Sequence, residues 1–80
     1  MTREQERRGA LEAIERILNR GGEANRVVRD VLAVVRRLEP SADLAFLTPG
    51  TVPASWDPEE RAFRERVALL VSPYVRGAQL

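Results

Sequence analysis

The residues of this chain best suited to chemistry are two adjacent carboxylates, Glu59 and Glu60. Two carboxylates can act as general acid and base when their surroundings separate their pKa values. Neighbouring residues of a helix point in different directions, however, and acidic residues in a first helical turn are explained by the helix dipole. The chain contains no histidine, cysteine or lysine, which are the usual bases and nucleophiles near neutral pH. We therefore expect no catalytic residues and a protein that is not an enzyme.

Ligands for metals and phosphates are also scarce. Carboxylates alone suit Mg²⁺ or Ca²⁺, which need clustered oxygen ligands, and the spacing of a calcium-binding loop is absent. The pair Gly21-Gly22 lacks the surrounding pattern of a phosphate-binding loop and is more typical of a turn between helices. The sequence predicts no metal site and no cofactor.

The composition is that of one small folded domain, which we place at residues 1–80. Its hydrophobic content of 44% argues against disorder. A chain of this size buries only about 60–65% of the surface that its unfolded form exposes. Disulfides and Cys/His metal sites cannot compensate, because both residue types are missing. Self-association is the remaining way to bury more apolar surface, so we expect a homo-oligomer, with a dimer favoured.

Membrane and targeting signals are absent from the sequence. No apolar run reaches the length of a membrane span, and Met1 is followed by charged residues rather than by a signal-peptide core. We expect a cytoplasmic protein without a membrane partner.

The first helix is predicted over about residues 3–20. Thr2 and Gln5 match a capping box, in which each residue satisfies a free backbone N–H group of the other. Apolar residues then recur at helical spacing until Gly21-Gly22, which is a strong stop signal.

The second helix is predicted over about residues 23–38. Five of its residues are valines, which also favour strands. Strict alternation is absent, however, and the segment is long for a strand, so a helix is favoured. Its apolar stripe is about 160° wide, which indicates contact with two neighbours. Pro40 ends this helix, because the residue before a proline avoids the α region.

Residues 40–56 are predicted to be an extended Pro/Gly segment between the second and third helices. Residues 42–47 suit a short strand, and residues 48–51 match a type II turn. Val52-Pro53 could pair back as a stub of a hairpin, which would need support from the helices or a partner chain.

The third helix is predicted over about residues 57–73. The sequence DPEE at Asp57 combines a preferred cap residue, a proline suited to the first turn and two acids that match the dipole. Trp56 precedes the cap, where it can pack against an early apolar residue of the helix. Pro73 should end or kink the helix, leaving residues 74–80 as a weakly ordered tail.

These patterns predict a mainly α fold of three helices and a function in protein–protein interaction, either scaffolding or regulatory. We expect self-association through the apolar helix faces, with helices of two chains forming a shared bundle. A second protein partner is also compatible with such faces. Trp56 and Tyr74 suit anchor positions, since aromatic residues are enriched among interface hot spots. The predicted interface residues are Leu11, Ile14, Leu18, Val27, Val31, Val35, Trp56, Phe63, Val67, Leu70 and Tyr74.

Nucleic-acid binding is the main alternative, as a helix-turn-helix built from the first two helices. The short turn containing glycine is compatible with such a motif. A net charge of only +1, interleaved acids and a lack of stacking aromatic residues disfavour it. The basic residues concerned, all on the polar face of the second helix, are Arg26, Arg29, Arg36 and Arg37.

Two segments resemble a known family. LEAIERILNRGGEA from Leu11 to Ala24, followed by the valine-rich helix and LAF at 44–46, resembles the start of actinobacterial-type GAF domains. FRERVALLVSPY, at 63–74, resembles their last helix. The resemblance implies that the first and last helices pack together on one face of an antiparallel sheet and commonly form the dimer interface.

The GAF domain is roughly twice as long as this chain. Its sheet and ligand pocket would have to lie between Phe46 and Trp56, where about ten residues are present. The resemblance therefore implies a helical framework that has lost the sensor's ligand site, and no pocket residue of the family has a counterpart here. A remnant of a GAF-type ligand sensor is the other alternative for the function.

Overall fold

The computed structural model describes residues 2–48 and 57–78. Within these residues the chain is mainly helical with three α-helices, as the sequence predicts, and a 3₁₀ helix lies between the second and the third. The helices are α1 (Arg3–Arg20), α2 (Ala24–Val35) and α3 (Pro58–Gly77), and the 3₁₀ helix spans Leu44–Leu47. The described residues contain no strand.

The start and the end of α1 follow from local side-chain and backbone chemistry. The Thr2 hydroxyl accepts a hydrogen bond from the Gln5 backbone N–H at 3.2 Å, and the Gln5 side chain accepts one from the Thr2 N–H at 3.0 Å. At the other end the Gly21 N–H donates to the Ile17 carbonyl. Gly21 and Gly22 have φ values of 70° and 120°, which residues with a Cβ rarely adopt, so the pair turns the chain into α2.

Helix α2 ends at Val35, three residues before its predicted end at residue 38. The next residues form a tighter turn, in which the Leu38 N–H donates to the Val35 carbonyl at 2.9 Å, an i to i−3 bond. Pro40 stops the chain from continuing as a helix beyond this turn, because its ring disfavours helical geometry for Glu39.

The strand predicted at residues 42–47 is wrong, because Leu44–Leu47 forms a 3₁₀ helix. The Asp43 carboxylate starts it by accepting a hydrogen bond from the Ala45 N–H at 3.0 Å. Phe46 and Leu47 are both buried, and a strand would point two successive side chains to opposite faces. A tight helical turn places both against the core. The type II turn at 48–51 and the hairpin at Val52-Pro53 lie largely or wholly outside the described residues.

Helix α3 begins at Pro58, as predicted, but it continues to Gly77 instead of ending near residue 73. The backbone carbonyl of Asp57 accepts from the Arg61 N–H, whereas the Asp57 side chain makes no capping hydrogen bond. Pro73 lies inside the helix. Tyr74 and Val75 pack against the core beyond it, and this burial offsets the hydrogen bond that the proline removes. The predicted tail is therefore helical through Gly77.

The core lies mainly on α2, which packs against both other helices, as its wide apolar stripe predicts. The 3₁₀ helix packs against α3, where the Arg64 guanidinium lies 4.3 Å from the centre of the Phe46 ring. Helices α1 and α3 contact each other less extensively than either contacts α2. The side chains with essentially no exposed surface are Ile14, Val27, Val28, Val31, Val35, Leu47, Val67 and Val71.

Candidate interaction surface

The structure divides the predicted interface residues into two groups. One group is buried inside the chain's own core, each member at most 7% exposed: Ile14, Val27, Val31, Val35, Phe63 and Val67. The other group is half-buried at the edge of the core and consists of Leu11, Leu18, Leu70 and Tyr74. Trp56 lies outside the described residues. Among the predicted interface residues that the structure describes, only the half-buried group has substantial apolar surface left for a partner.

Helices α1 and α3 together leave an apolar surface that we call the α1–α3 face, formed by Leu11, Leu18, Ala62, Leu69 and Leu70. Leu69 is 65% exposed, although it is a large hydrophobic residue. Leu11 and Leu18 are two helical turns apart and therefore lie on one side of α1. Open grooves of about 400 and 440 Å³ run along this face, and the residues that line them belong to α1 and α3 alone.

The charges beside the α1–α3 face are balanced in sign. The Arg8 guanidinium lies 3.4 Å from the Glu4 carboxylate, and the Arg66 guanidinium lies 4.0 Å from that of Glu15. All four side chains are at least half exposed, so water screens both pairs. The face consequently combines leucines with two positive and two negative groups.

A network of ion pairs joins the N-terminal ends of α1 and α3. The Arg7 side chain is only 11% exposed; its Nη1 donates to Glu60 Oε1 at 2.6 Å and its Nη2 donates to Glu59 Oε2 at 3.1 Å. This buried arginine therefore holds both acids of the first turn of α3.

Arg3 extends the same network to the end of α2. Its Nε donates to Glu60 Oε1 at 3.0 Å, its Nη2 donates to Glu39 Oε1 at 2.8 Å, and its Nη1 donates to the Leu38 carbonyl at 3.4 Å. The hydrogen bond to Glu60 raises the pKa of Arg3 above its ordinary value. We call Arg3, Arg7, Glu39, Glu59 and Glu60 the arginine–glutamate latch.

The latch gives the acidic pair of the sequence a structural role in addition to the one expected from the helix dipole. Glu59 and Glu60 lie in the first turn of α3, where they complement the helix dipole, and they also bind two arginines of α1. Sequence reasoning missed this contact, because the Arg7–Glu60 partners are 53 residues apart. One available signal was the position of Arg7 within the apolar periodicity of α1, seven residues before Ile14.

The outer side of α2 carries a basic surface. We call Arg26, Arg29, Ala33, Arg36 and Arg37 the arginine face; all five residues are exposed. Arg36 Nε donates to the Ala42 carbonyl at 2.8 Å, whereas Arg26, Arg29 and Arg37 form no side-chain hydrogen bond or ion pair within residues 2–48 and 57–78.

Among the described residues no group of three or more potential ligands is close enough to hold a metal ion. None of the helices in that part of the chain has the length and hydrophobicity needed to cross a membrane. No family model, curated protein or solved structure matches the chain, so the resemblance to GAF domains stays a prediction.

Proposed function

We propose that this chain is a non-catalytic protein–protein interaction module that self-associates through its α1–α3 face. The single observation that carries this proposal is the exposure of Leu69, which is 65% accessible and lines an open groove with Leu70 and Ala62. An isolated exposed leucine is common, but Ala62 also lines the neighbouring groove with Leu11 of α1, so apolar side chains of two helices border these grooves.

A second copy of the same chain is the partner that fits this face best. The two arginines and two glutamates beside it carry no net charge, so a like surface meets it without net repulsion. The domain is also small and has no disulfide, so further burial of apolar surface adds stability that the single chain lacks.

The proposed surface is smaller than the interface that the sequence predicts, because several of the predicted residues are buried in the core. Ile14 and Val67 have no exposed surface, so they support the face from beneath rather than contact the partner, and Val31 lies on α2, outside this face. Leu11, Leu18 and Leu70 keep the role expected of them. The resemblance to GAF domains supports the same surface, since first and last helices commonly form the dimer interface in that family.

Replacement of Leu69 with glutamate tests the proposal. Leu69 is largely exposed, so the fold of the single chain should lose no more than about 0.5 kcal/mol. A charge buried without a partner in a dimer is far more costly. We expect a dimer for the unaltered chain and a monomer for Leu69→Glu, measured by size-exclusion chromatography with light scattering at micromolar concentrations.

Ala33→Glu on the outer side of α2 is the matched control, because it introduces the same acid at another exposed helical site. This control should remain dimeric. A monomeric unaltered chain at every accessible concentration contradicts self-association. Equal dimerisation of the unaltered chain and Leu69→Glu contradicts the assignment to the α1–α3 face.

A further inference from the structure

We infer that the arginine face binds the phosphodiester backbone of nucleic acid without sequence preference. Arg26 and Arg29 lie on α2, and Arg36 and Arg37 lie in the turn that follows it; the eleven residues from Arg26 to Arg37 span about 16 Å at 1.5 Å per residue. At 100° per residue its five members fall within a sector of about 100°, which is one side of the helix. This surface is separate from the α1–α3 face, so the inference does not depend on self-association.

The structure gives two of the acids interleaved with these arginines partners of their own. Asp30 borders the arginine face at 100° per residue, but it pairs with Arg20 at 3.1 Å. Glu39 is bound by Arg3 at 2.8 Å, and Glu23 lies at the N-terminal end of α2. Arg20 and Arg3 therefore balance the charges of Asp30 and Glu39, which leaves the charge of the arginine face positive.

The basic surface also reaches α1. Arg16 and Arg37 line the same open groove between α1 and α2, which has a volume of about 460 Å³. Arg16 forms no side-chain ion pair or hydrogen bond in the part of the chain that the structure describes. The groove thus adds a fifth guanidinium to the two on α2 and the two in the turn after it; Glu6 also lines the groove, but it pairs with Arg3 at 3.8 Å.

The shape and chemistry of the face favour a phosphate backbone over a membrane or a protein. The apolar residues of α2, such as Val28, Val31 and Val35, have no exposed surface, so this helix cannot insert into lipid. Its outer side offers only the methyl group of Ala33 to a protein partner, whereas protein interfaces rely on larger anchors.

A nucleic acid carries charge along its whole length, so it needs no such anchor. Guanidinium groups bind phosphate through two parallel hydrogen bonds, and the small Ala33 side chain at the centre lets α2 approach the backbone closely. Contacts to phosphates hold the protein on the duplex but do not read its sequence.

The expected signature is the dependence of affinity on salt. Each phosphate contact releases counterions from the DNA. With four such contacts, the logarithm of the binding constant should fall with the logarithm of the salt concentration with a slope of about −3.6 for duplex DNA. The test uses fluorescence anisotropy with a labelled mixed-sequence duplex of about 20 base pairs, which exceeds the length of the face at 3.4 Å per pair. A second duplex of unrelated sequence should bind equally well.

The variant is Arg26→Gln/Arg29→Gln, and its matched control is Arg61→Gln/Arg76→Gln. Both remove two positive charges, but Arg61 and Arg76 belong to α3 and line neither groove of the α1–α3 face. We expect the α2 variant to bind at least tenfold more weakly and its slope to fall by about 1.8. The control should keep at least half of the affinity and an unchanged slope.

Several results would overturn the inference. They are the absence of binding at low salt, equal weakening by both double variants, and binding to anionic phosphatidylserine vesicles in preference to DNA. Circular dichroism of each variant, showing unaltered helicity, ensures that a loss of binding reflects the missing charges.

Discussion

The arginine–glutamate latch leads to a quantitative prediction about Arg7 and Glu60. Their side chains are 11% and 25% exposed, and the guanidinium nitrogen lies 2.6 Å from the carboxylate oxygen. The chain also contains a natural reference pair, Arg8 and Glu4, whose side chains are 68% and 73% exposed at a distance of 3.4 Å. The two pairs involve the same residue types and differ mainly in burial and geometry.

The magnitude follows from this difference. A hydrogen bond to a charged group contributes about 1.5–3 kcal/mol. Arg3 also donates to the same oxygen of Glu60, so part of the interaction survives when Arg7 is replaced. We therefore expect a coupling energy of about 1–2 kcal/mol between Arg7 and Glu60. The exposed i,i+4 pair should give about 0.3–0.5 kcal/mol.

Such a loss is large for this chain. At about 0.05–0.15 kcal/mol per residue, eighty residues correspond to a free energy of unfolding of about 4–12 kcal/mol. For a domain of this size, 1 kcal/mol shifts Tm by about 4–8 °C. Arg7→Gln should thus lower Tm by about 4–16 °C, whereas Arg8→Gln should change it by less than about 4 °C.

Two double-mutant cycles, each with glutamine replacements, measure the coupling. Urea unfolding followed by far-ultraviolet circular dichroism gives the four free energies of each cycle without adding salt. Repeating both cycles at about 0.5 M NaCl should abolish the coupling of Arg8 with Glu4 and preserve most of that of Arg7 with Glu60. Equal coupling energies, or an equal response to salt, would refute the view that burial makes the latch a structural contact.

Two further predictions concern the backbone. Gly9 lies inside α1 with no atom within 4 Å of an added Cβ, so Gly9→Ala should stabilise the fold by about 0.5–1 kcal/mol. Gly22 has a φ of 120°, which alanine rarely adopts, so Gly22→Ala should destabilise the fold by about 1 kcal/mol or more. If urea unfolding showed that both glycine variants change the free energy of unfolding in the same direction, this explanation would be contradicted. Pro73→Ala should stabilise α3 by up to about 3 kcal/mol, because it restores a backbone hydrogen bond to the Leu69 carbonyl. A lower Tm for this variant would show instead that the core packing needs the proline's local geometry.

The features that could be predicted from the sequence depend on near neighbours in the chain. Thr2 and Gln5 specify the start of α1, and Pro58 specifies that of α3, since each signal acts within one helical turn. The side of each helix that enters the core follows from the spacing of its apolar residues alone. Ile14 and Val67, which this spacing places in the core, have no exposed surface.

The features that were missed depend on contacts between distant residues. Burial of both Phe46 and Leu47 against α3 decides between a strand and a 3₁₀ helix, and this burial cannot be read from the local pattern. Tyr74 holds the end of α3 in a helix beyond Pro73 by packing against the core. The role of Arg7 requires α1 and α3 to be adjacent, which is a property of the fold.

The packing of α2 against the other two helices determines which surfaces of this chain remain for partners. Its apolar stripe, with Val31 and Val35 fully buried, contacts α1 and α3 and leaves the arginine face, bordered by Asp30, on the exposed side. The grooves at the α1–α3 face are lined by no residue of α2, so the two surfaces lie on different sides of the domain. Self-association through the α1–α3 face would leave both arginine faces of a dimer exposed. Each dimer would then present twice the number of guanidinium groups to a polyanion, so the two proposals are compatible and each can fail without the other.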